Sequence, residues 1–209
     1  QKRQTEPKDS IPRRKDLAVY PLSFAQRRLW FLDQFEPDSP FYNIPAALRI
    51  SGALNVAALR RSLNQVVHRH EVLRASFGTE KGSPVQIIAP ELKISLPVTD
   101  LGHLTAPERE AEILRLATEE ASSPFDLSRG PLVRASLLQL GAAEHVLLLT
   151  MHHIASDGWS IGVLIKEIST LYHAFSNDQA SPLLPLPIQY ADYAHWQRGW
   201  LEGEVLERQ

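Results

Sequence analysis

Residues 145–150, His-Val-Leu-Leu-Leu-Thr, form a short apolar run that reads as a buried strand. Past residue 160, apolar side chains recur at positions 161, 164, 165, 168, 171, 172 and 175. That spacing is one face of an amphipathic helix. A buried strand must therefore give way to a helix across Met151-His152-His153-Ile154-Ala155-Ser156-Asp157-Gly158-Trp159-Ser160. Ser156 or Asp157 can cap the helix. Gly158 adds no side chain, so another backbone or a substrate can come close there.

The residue types in this turn point to chemistry. Histidine is the side chain best suited to moving protons near neutral pH. An imidazole held at a strand end points in a fixed direction. The aspartate four residues after His153 can orient that ring, or pair with a cation that locks the turn. A histidine pair at a strand end can equally be a hydrogen-bonded structural feature, so the rest of the chain has to decide.

Composition removes several classes of function. With 209 residues the chain can bury a substantial core as one domain. The net charge of −2 and the lack of a basic, aromatic-interleaved stripe argue against nucleic acid as a partner. The chain has no cysteine, which excludes disulfides, thiol catalysis and cysteine-ligated metals. No apolar run is long enough to span a bilayer and the N-terminus is charged, so a soluble, cytoplasmic protein without a membrane partner is expected. No metal is implied either. The histidines lack a carboxylate or cysteine at zinc-like spacing, and neighbours on a strand point to opposite faces.

Residues 1–18 are polar, basic and broken by Pro7 and Pro12, and they read as a linker or disordered tail. The folded unit is expected over 19–209. Ser23 with Gln26 is a capping-box pattern, and a helix with an aromatic core face follows to Phe35. Asp38-Ser39-Pro40 makes a turn. Residues 44–50 read as a strand that Pro45 assigns to a strand start or edge. Asn55 caps a helix whose apolar stripe is 56, 59, 63, 66 and 67, with Leu54 and Leu59 as its staple. Strands are expected at 72–77, 85–88 and 94–98, and a helix over 111–121 behind a Thr105/Glu108 capping box. A hairpin over 132–140 and 145–151 delivers the histidine turn. After a proline-rich stretch, a last helix starts near Tyr190.

His152-His153-Ile154-Ala155-Ser156-Asp157-Gly158 resembles the His-His-x-x-x-Asp-Gly signature of condensation domains of nonribosomal peptide synthetases, members of the chloramphenicol-acetyltransferase-like superfamily. Three further segments are similar to that family, in the family's order. They are Leu22-Ser23-Phe24-Ala25-Gln26-Arg27-Arg28-Leu29-Trp30-Phe31-Leu32, then Arg69-His70-Glu71-Val72-Leu73-Arg74-Ala75-Ser76-Phe77, then Tyr190-Ala191-Asp192-Tyr193-Ala194-His195-Trp196. Ala75 replaces the family's usual threonine and Tyr193 its phenylalanine. Pro124-Phe125-Asp126-Leu127 with Gly130-Pro131-Leu132 resembles a less diagnostic loop of the family.

The resemblance implies an α/β fold, a chloramphenicol-acetyltransferase-like two-layer sandwich in which a mixed β-sheet is packed by helices. It is one lobe of a V-shaped, two-lobe domain about twice as long. The later motifs of the second lobe are missing, so the chain is expected to be the N-terminal lobe alone, without the C-terminal lobe. The implied reaction is amide formation, in which the amine of a downstream carrier-bound aminoacyl thioester attacks an upstream acyl or peptidyl thioester. His153 is placed as general base or amine-positioning group and His152 as a shaper of the turn. Gly158 is placed as a backbone donor near the developing oxyanion. An arginine of the second motif, Arg69 with Arg74 as the alternative, is expected to pair with Asp157, because a carboxylate at a buried strand end is costly unless paired. Trp196 is expected to support the tunnel wall.

The lobe itself is expected to bind no cofactor, since the substrates ride on the 4'-phosphopantetheine of partner carrier domains. Expected partners are the upstream and downstream peptidyl carrier domains, the C-terminal lobe and an adjacent adenylation domain. Trp159-Ser160 resembles the subtype joining an L-donor to an L-acceptor. An isolated lobe is expected to be inactive and to self-associate through its uncovered face. The alternatives are a coenzyme A-dependent acyltransferase of the same fold, which would share His153 and Asp157, and a non-catalytic carrier-binding lobe.

Overall fold

The computed structural model describes residues 11–14 and 19–200. In chain order the elements are β1 (Tyr20–Pro21), α1 (Phe24–Phe35), a 3-10 turn (Pro40–Tyr42), β2 (Asn43–Ser51), α2 (Val56–Arg69), a second 3-10 turn (Glu71–Arg74), β3 (Ala75–Glu80), β4 (Ser83–Ile88), β5 (Val98–Asp100), α3 (Ala106–Ser122), β6 (Val133–Gly141), β7 (Glu144–His152), α4 (Gly158–Ser176) and α5 (Tyr190–Trp200). The expected run to the end of the last helix lies partly outside the described residues, as do residues 1–10 and 15–18 of the expected tail.

The strands divide into two sheets. The larger is mixed, in the order β2-β7-β6-β5; the smaller, β1-β4-β3, is antiparallel. β7 pairs antiparallel with β2 and with β6, while β5 runs parallel to β6. As the interior strand of the hairpin, β7 is buried at every position from His145 to His152. Its two faces serve different layers. Leu147, Leu149 and Met151 pack with Leu59, Leu63 and Val66 of α2 and with Leu164, Ile168 and Leu171 of α4. Val146 and Leu148 pack with Leu138, Leu140 and, more loosely, Ile113 and Leu116 of α3. The expected mixed sheet packed by helices is present; α2 and α4 form the layer against one face, and α3 adds a layer on the other. Pro45 lies in β2, an outer strand of its sheet, where its missing N–H costs no ladder bond.

The caps read from sequence hold. Ser23 Oγ accepts from the Gln26 N–H at 3.1 Å and the Ser23 N–H donates to Gln26 Oε1 at 3.1 Å. Asn55 Oδ1 accepts from the Ala58 N–H at 3.0 Å. The Thr105 N–H donates to Glu108 Oε2 at 3.0 Å.

Two strand assignments are corrected. The chain at 71–74 is a 3-10 turn: the Leu73 N–H donates to His70 O at 3.0 Å, which buries Leu73 in the core, and the strand starts only at Ala75. At 94–98 the alternation is real, with Ile94 and Leu96 buried, but pairing begins at Val98. The Asn64 amide takes both backbone groups of Ile94, accepting from its N–H at 2.9 Å and donating to its carbonyl at 3.2 Å. Bonds that a neighbouring strand would make are made by a side chain. The aromatic face of α1 also differs from expectation. Phe24, Phe31 and Phe35 are exposed, and Gln26 is the buried residue of that helix.

Candidate active site

β7 ends at His152, still in register with Asn43 of β2. The His153 N–H donates to the Tyr42 carbonyl at 2.8 Å, so the backbone of the second histidine is pinned as the strand ends. The chain turns through residues 153–157 and enters α4. Asp157 is the cap: its Oδ1 accepts from the Ser160 N–H at 2.8 Å and from Ser160 Oγ at 2.6 Å. These bonds, from the hydroxyl first and the amide second, hold its carboxyl below the usual range.

The two histidines have opposite surroundings. His152 is buried, with Phe125 edge-on at 6.0 Å and Tyr42 at 6.3 Å between ring centroids. Its Nδ1 accepts from the Ile154 N–H at 3.1 Å, so in the neutral ring the proton sits on Nε2. Burial, with a smaller contribution from neighbouring His153, pulls its pKa down to about 4. It stays neutral and packed. The family-like loop explains the packing. Arg134 lies over the Phe125 ring at 3.8 Å while its guanidinium donates to the carbonyls of Pro124 and Ser123 at 2.9 and 2.8 Å. The loop is docked on β3 through the Phe77 N–H to Leu127 O bond of 2.8 Å.

His153 is exposed and lines a cleft of about 560 Å³. Its Nδ1 lies 2.8 Å from the Ser156 carbonyl. A carbonyl only accepts, so Nδ1 carries the proton and neutral Nε2 keeps its lone pair for a ligand. The ring is thus oriented by one backbone bond from its own turn, and among the described residues no carboxylate is hydrogen-bonded to it. Gly158 is the first residue of α4, and the space where a Cβ would stand holds no other atom within 4 Å. Its amide belongs to the N-terminus of a 19-residue helix, where partial positive charge favours an anion.

The expected arginine–Asp157 pair does not form. Arg69 Nε bonds Glu167 Oε1 of α4 at 3.0 Å, and its guanidinium also donates to the Leu184 carbonyl. Arg74 faces Glu71 at 3.8 Å and donates to the Ala89 carbonyl. The physical premise fails rather than the chemistry: Asp157 is exposed and satisfied by Ser160, so it needs no cation. Trp196 lies outside the cleft lining. It stacks on Trp200 at 5.4 Å and contacts Tyr193 at 6.0 Å, and Tyr193 and Tyr190 are the fourth-motif residues that line the cleft.

A polar network that sequence reading missed joins the second and fourth motifs behind this cleft. Glu167 takes Arg69 and also His70, whose Nε2 is 2.7 Å from Oε2. Gln189 donates to Arg69 O at 3.0 Å and accepts from the Glu71 N–H at 3.1 Å. Asp192 accepts from the Gln189 N–H at 2.6 Å and from Arg14 Nη1 at 2.7 Å, while Arg14 also bonds Glu71. Burial pushes the Asp192 carboxyl up, but the bonds from Gln189 and Arg14 outweigh it and leave it below the usual range. Apart from the Gln189–Asp192 contact, three residues apart, every pair here spans a long stretch of chain, and no local pattern signals those links. The one available hint was that Glu71 and Asp192 stand inside family-like motifs.

The tail reading is corrected at one point. Arg14, within the residues read as a solvated tail, is tucked in: its side chain is 7% exposed and lies 4.2 Å over the Tyr20 ring.

Residues 17–209 match the condensation domain family, and the chain belongs to it. It is 54% identical over 192 residues to a linear gramicidin synthase from Brevibacillus parabrevis, covering 92% of this chain and 4% of that one. It is 48% identical over 205 residues to phosphinothricin tripeptide synthetase PhsC of Streptomyces viridochromogenes, covering 96% and 19%. The fold matches the first condensation domain of the CDA synthetase with a TM-score of 0.81 at 25% identity, over 92% of this chain and 49% of that one. The chain thus spans a small part of its curated relatives and about half of that solved domain. Among the described residues no helix is long and apolar enough to cross a membrane.

Proposed function

We propose that this chain is the histidine-bearing N-terminal lobe, residues 19–209, of a condensation domain that forms an amide bond between two carrier-bound substrates, joining an L-donor to an L-acceptor. The observation that carries the reading is the His153 ring, bonded through Nδ1 to the Ser156 carbonyl and belonging to an exposed residue that lines an apolar cleft.

The amine of the acceptor attacks the carbonyl carbon of the donor thioester. A C–N bond forms and the C–S bond breaks. Nε2 of His153 takes the proton the amine must shed, and the departing sulfur receives it. The N-terminus of α4, with the Gly158 amide, favours the oxyanion formed on the way. His152 shapes the turn and takes no proton near neutral pH. Both substrates would arrive on the 4'-phosphopantetheine of upstream and downstream carrier domains, and the lobe binds no cofactor of its own. The C-terminal lobe and an adenylation domain complete the working unit, and residues 1–209 alone form no product.

The test is amide formation by a synthetase module that contains this domain. His153→Ala should fold normally by circular dichroism and lose about 10²- to 10⁴-fold in rate, the usual worth of a positioned general base. A folded His153→Ala module with unchanged turnover would leave only substrate positioning to explain catalysis and would sink the assignment. Turnover with a soluble coenzyme A thioester in place of the carrier-bound donor would favour the acyltransferase reading instead.

A further inference from the structure

Residues 11–14 precede the first strand, yet both ends of this short segment are engaged. Ile11 lines the same cleft as His153, alongside apolar residues such as Leu29, Leu186 and Ile188. Three residues on, Arg14 is fixed by main chain and side chain together. Its N–H and Nη1 both donate to Asp192 Oδ1, at 3.0 and 2.7 Å, and its Nη2 bonds Glu71. Asp192 is 1% exposed, so this anchor is set into the body of the fold and is not a surface pair. Pro12 lies between the two contacts and fixes its own φ, which shortens the list of ways the segment can leave.

We infer that residues 11–14 are a strap seated by Arg14, and that Ile11 forms part of the wall against which the apolar side chain of a substrate rests. Ile11 is then a specificity-determining residue and Arg14 a positioning residue. The inference uses the proposed amide-forming reaction for its main readout. The chemistry of the occupant follows from the wall: an aliphatic contact discriminates by size and carries no hydrogen-bonding selectivity. Arg14 acts through the strap and touches no reacting atom.

The experiment is made in the same synthetase module, with donors and acceptors that differ only in carrying an alanyl or a leucyl side chain. Ile11→Ala should shift the leucyl-to-alanyl preference upward by roughly tenfold for one of the two substrates, and Ile11→Trp should shift it the other way, the scale expected for a few methylenes in an apolar pocket. Arg14→Met should reproduce the Ile11→Ala shift, and Arg14→Lys should restore part of the original preference. If His153→Ala abolishes the reaction and both Ile11 variants leave every preference unmoved, the strap is overturned while the amide-forming reading stands. If His153→Ala has no effect, that reading falls, and the strap is decided by hydrogen exchange in this 209-residue chain. The Arg14 amide should be protected in the wild type and lose at least tenfold of that protection in Arg14→Met, with β7 unchanged. An unprotected wild-type Arg14 amide overturns the strap whatever the activity.

Discussion

Adjacent in sequence where β7 ends, His152 points into the packing of Phe125 and Tyr42, and His153 stands in the cleft. The buried ring gives a pH signature. An unfolded imidazole takes its proton near 6.5, whereas His152 in the fold waits until about 4. Between those values the unfolded state binds more protons, so stability rises with pH in that window. Lowering the pH from 6.5 to 4 should therefore remove about 3 kcal/mol, at 1.36 kcal/mol per pKa unit. His152→Asn keeps an acceptor for the Ile154 N–H and cannot titrate. Urea unfolding at pH 7, 5.5 and 4.5 should show a flatter profile for that variant, and two parallel profiles would contradict the assignment. The cap makes a second prediction at this scale. Asp157→Asn keeps a good N-cap and should cost a few tenths of a kcal/mol, while Asp157→Ala should cost about 1 kcal/mol. Equal losses in the two variants would mean that charge, and not capping, is what Asp157 contributes.

At the scale of elements, α2 and α4 are joined by Glu167 gripping Arg69 and His70, and this replaces the expected arginine–Asp157 lock. A double-mutant cycle separates the two ideas. Arg69→Met with Glu167→Leu should show a coupling of about 0.5–3 kcal/mol, and Arg69→Met with Asp157→Asn should be additive within about 0.5 kcal/mol. Coupling in the second pair would restore the lock. The same contrast shows what could be read from the chain. The β7–α4 turn and the capped helices were legible because strand burial, helical periodicity and N-caps are written in neighbouring residues. The candidate base was legible too, since the turn that aims His153 uses only residues 153–157 and one carbonyl from Tyr42. The partner of Arg69 was not, because Glu167 is separated from it by 98 residues and looks like any polar residue of an amphipathic helix. The 94–98 segment misled for a related reason: burial alternates there as in a strand, but Asn64 supplies the bonds.

For the whole molecule, the exposed aromatics set the expectation. Phe24, Phe31 and Phe35 recur at helical spacing along one side of α1, where a helix in a closed fold would place polar groups. Arg198 covers part of this side by lying 4.5 Å over the Phe24 ring, which leaves Phe31 at 62% and Phe35 at 76% exposed. Trp159, beside the cleft, is 84% exposed. Apolar surface of this kind favours association, because each ring removed from water contributes at roughly 25 cal/mol per Å². The net charge of −2 supplies little repulsion to oppose it. Sedimentation velocity on the 209-residue chain should therefore show a sedimentation coefficient that rises with concentration. Phe31→Ser with Phe35→Ser should remove most of that rise without altering the fold, since neither ring belongs to a core cluster. The strap makes no such contribution, so Ile11→Ala should leave the rise intact. A single monomeric species at every usable concentration would mean that the α1 face is tolerated in water as it stands, and the exposed rings would then carry no information about what covers them.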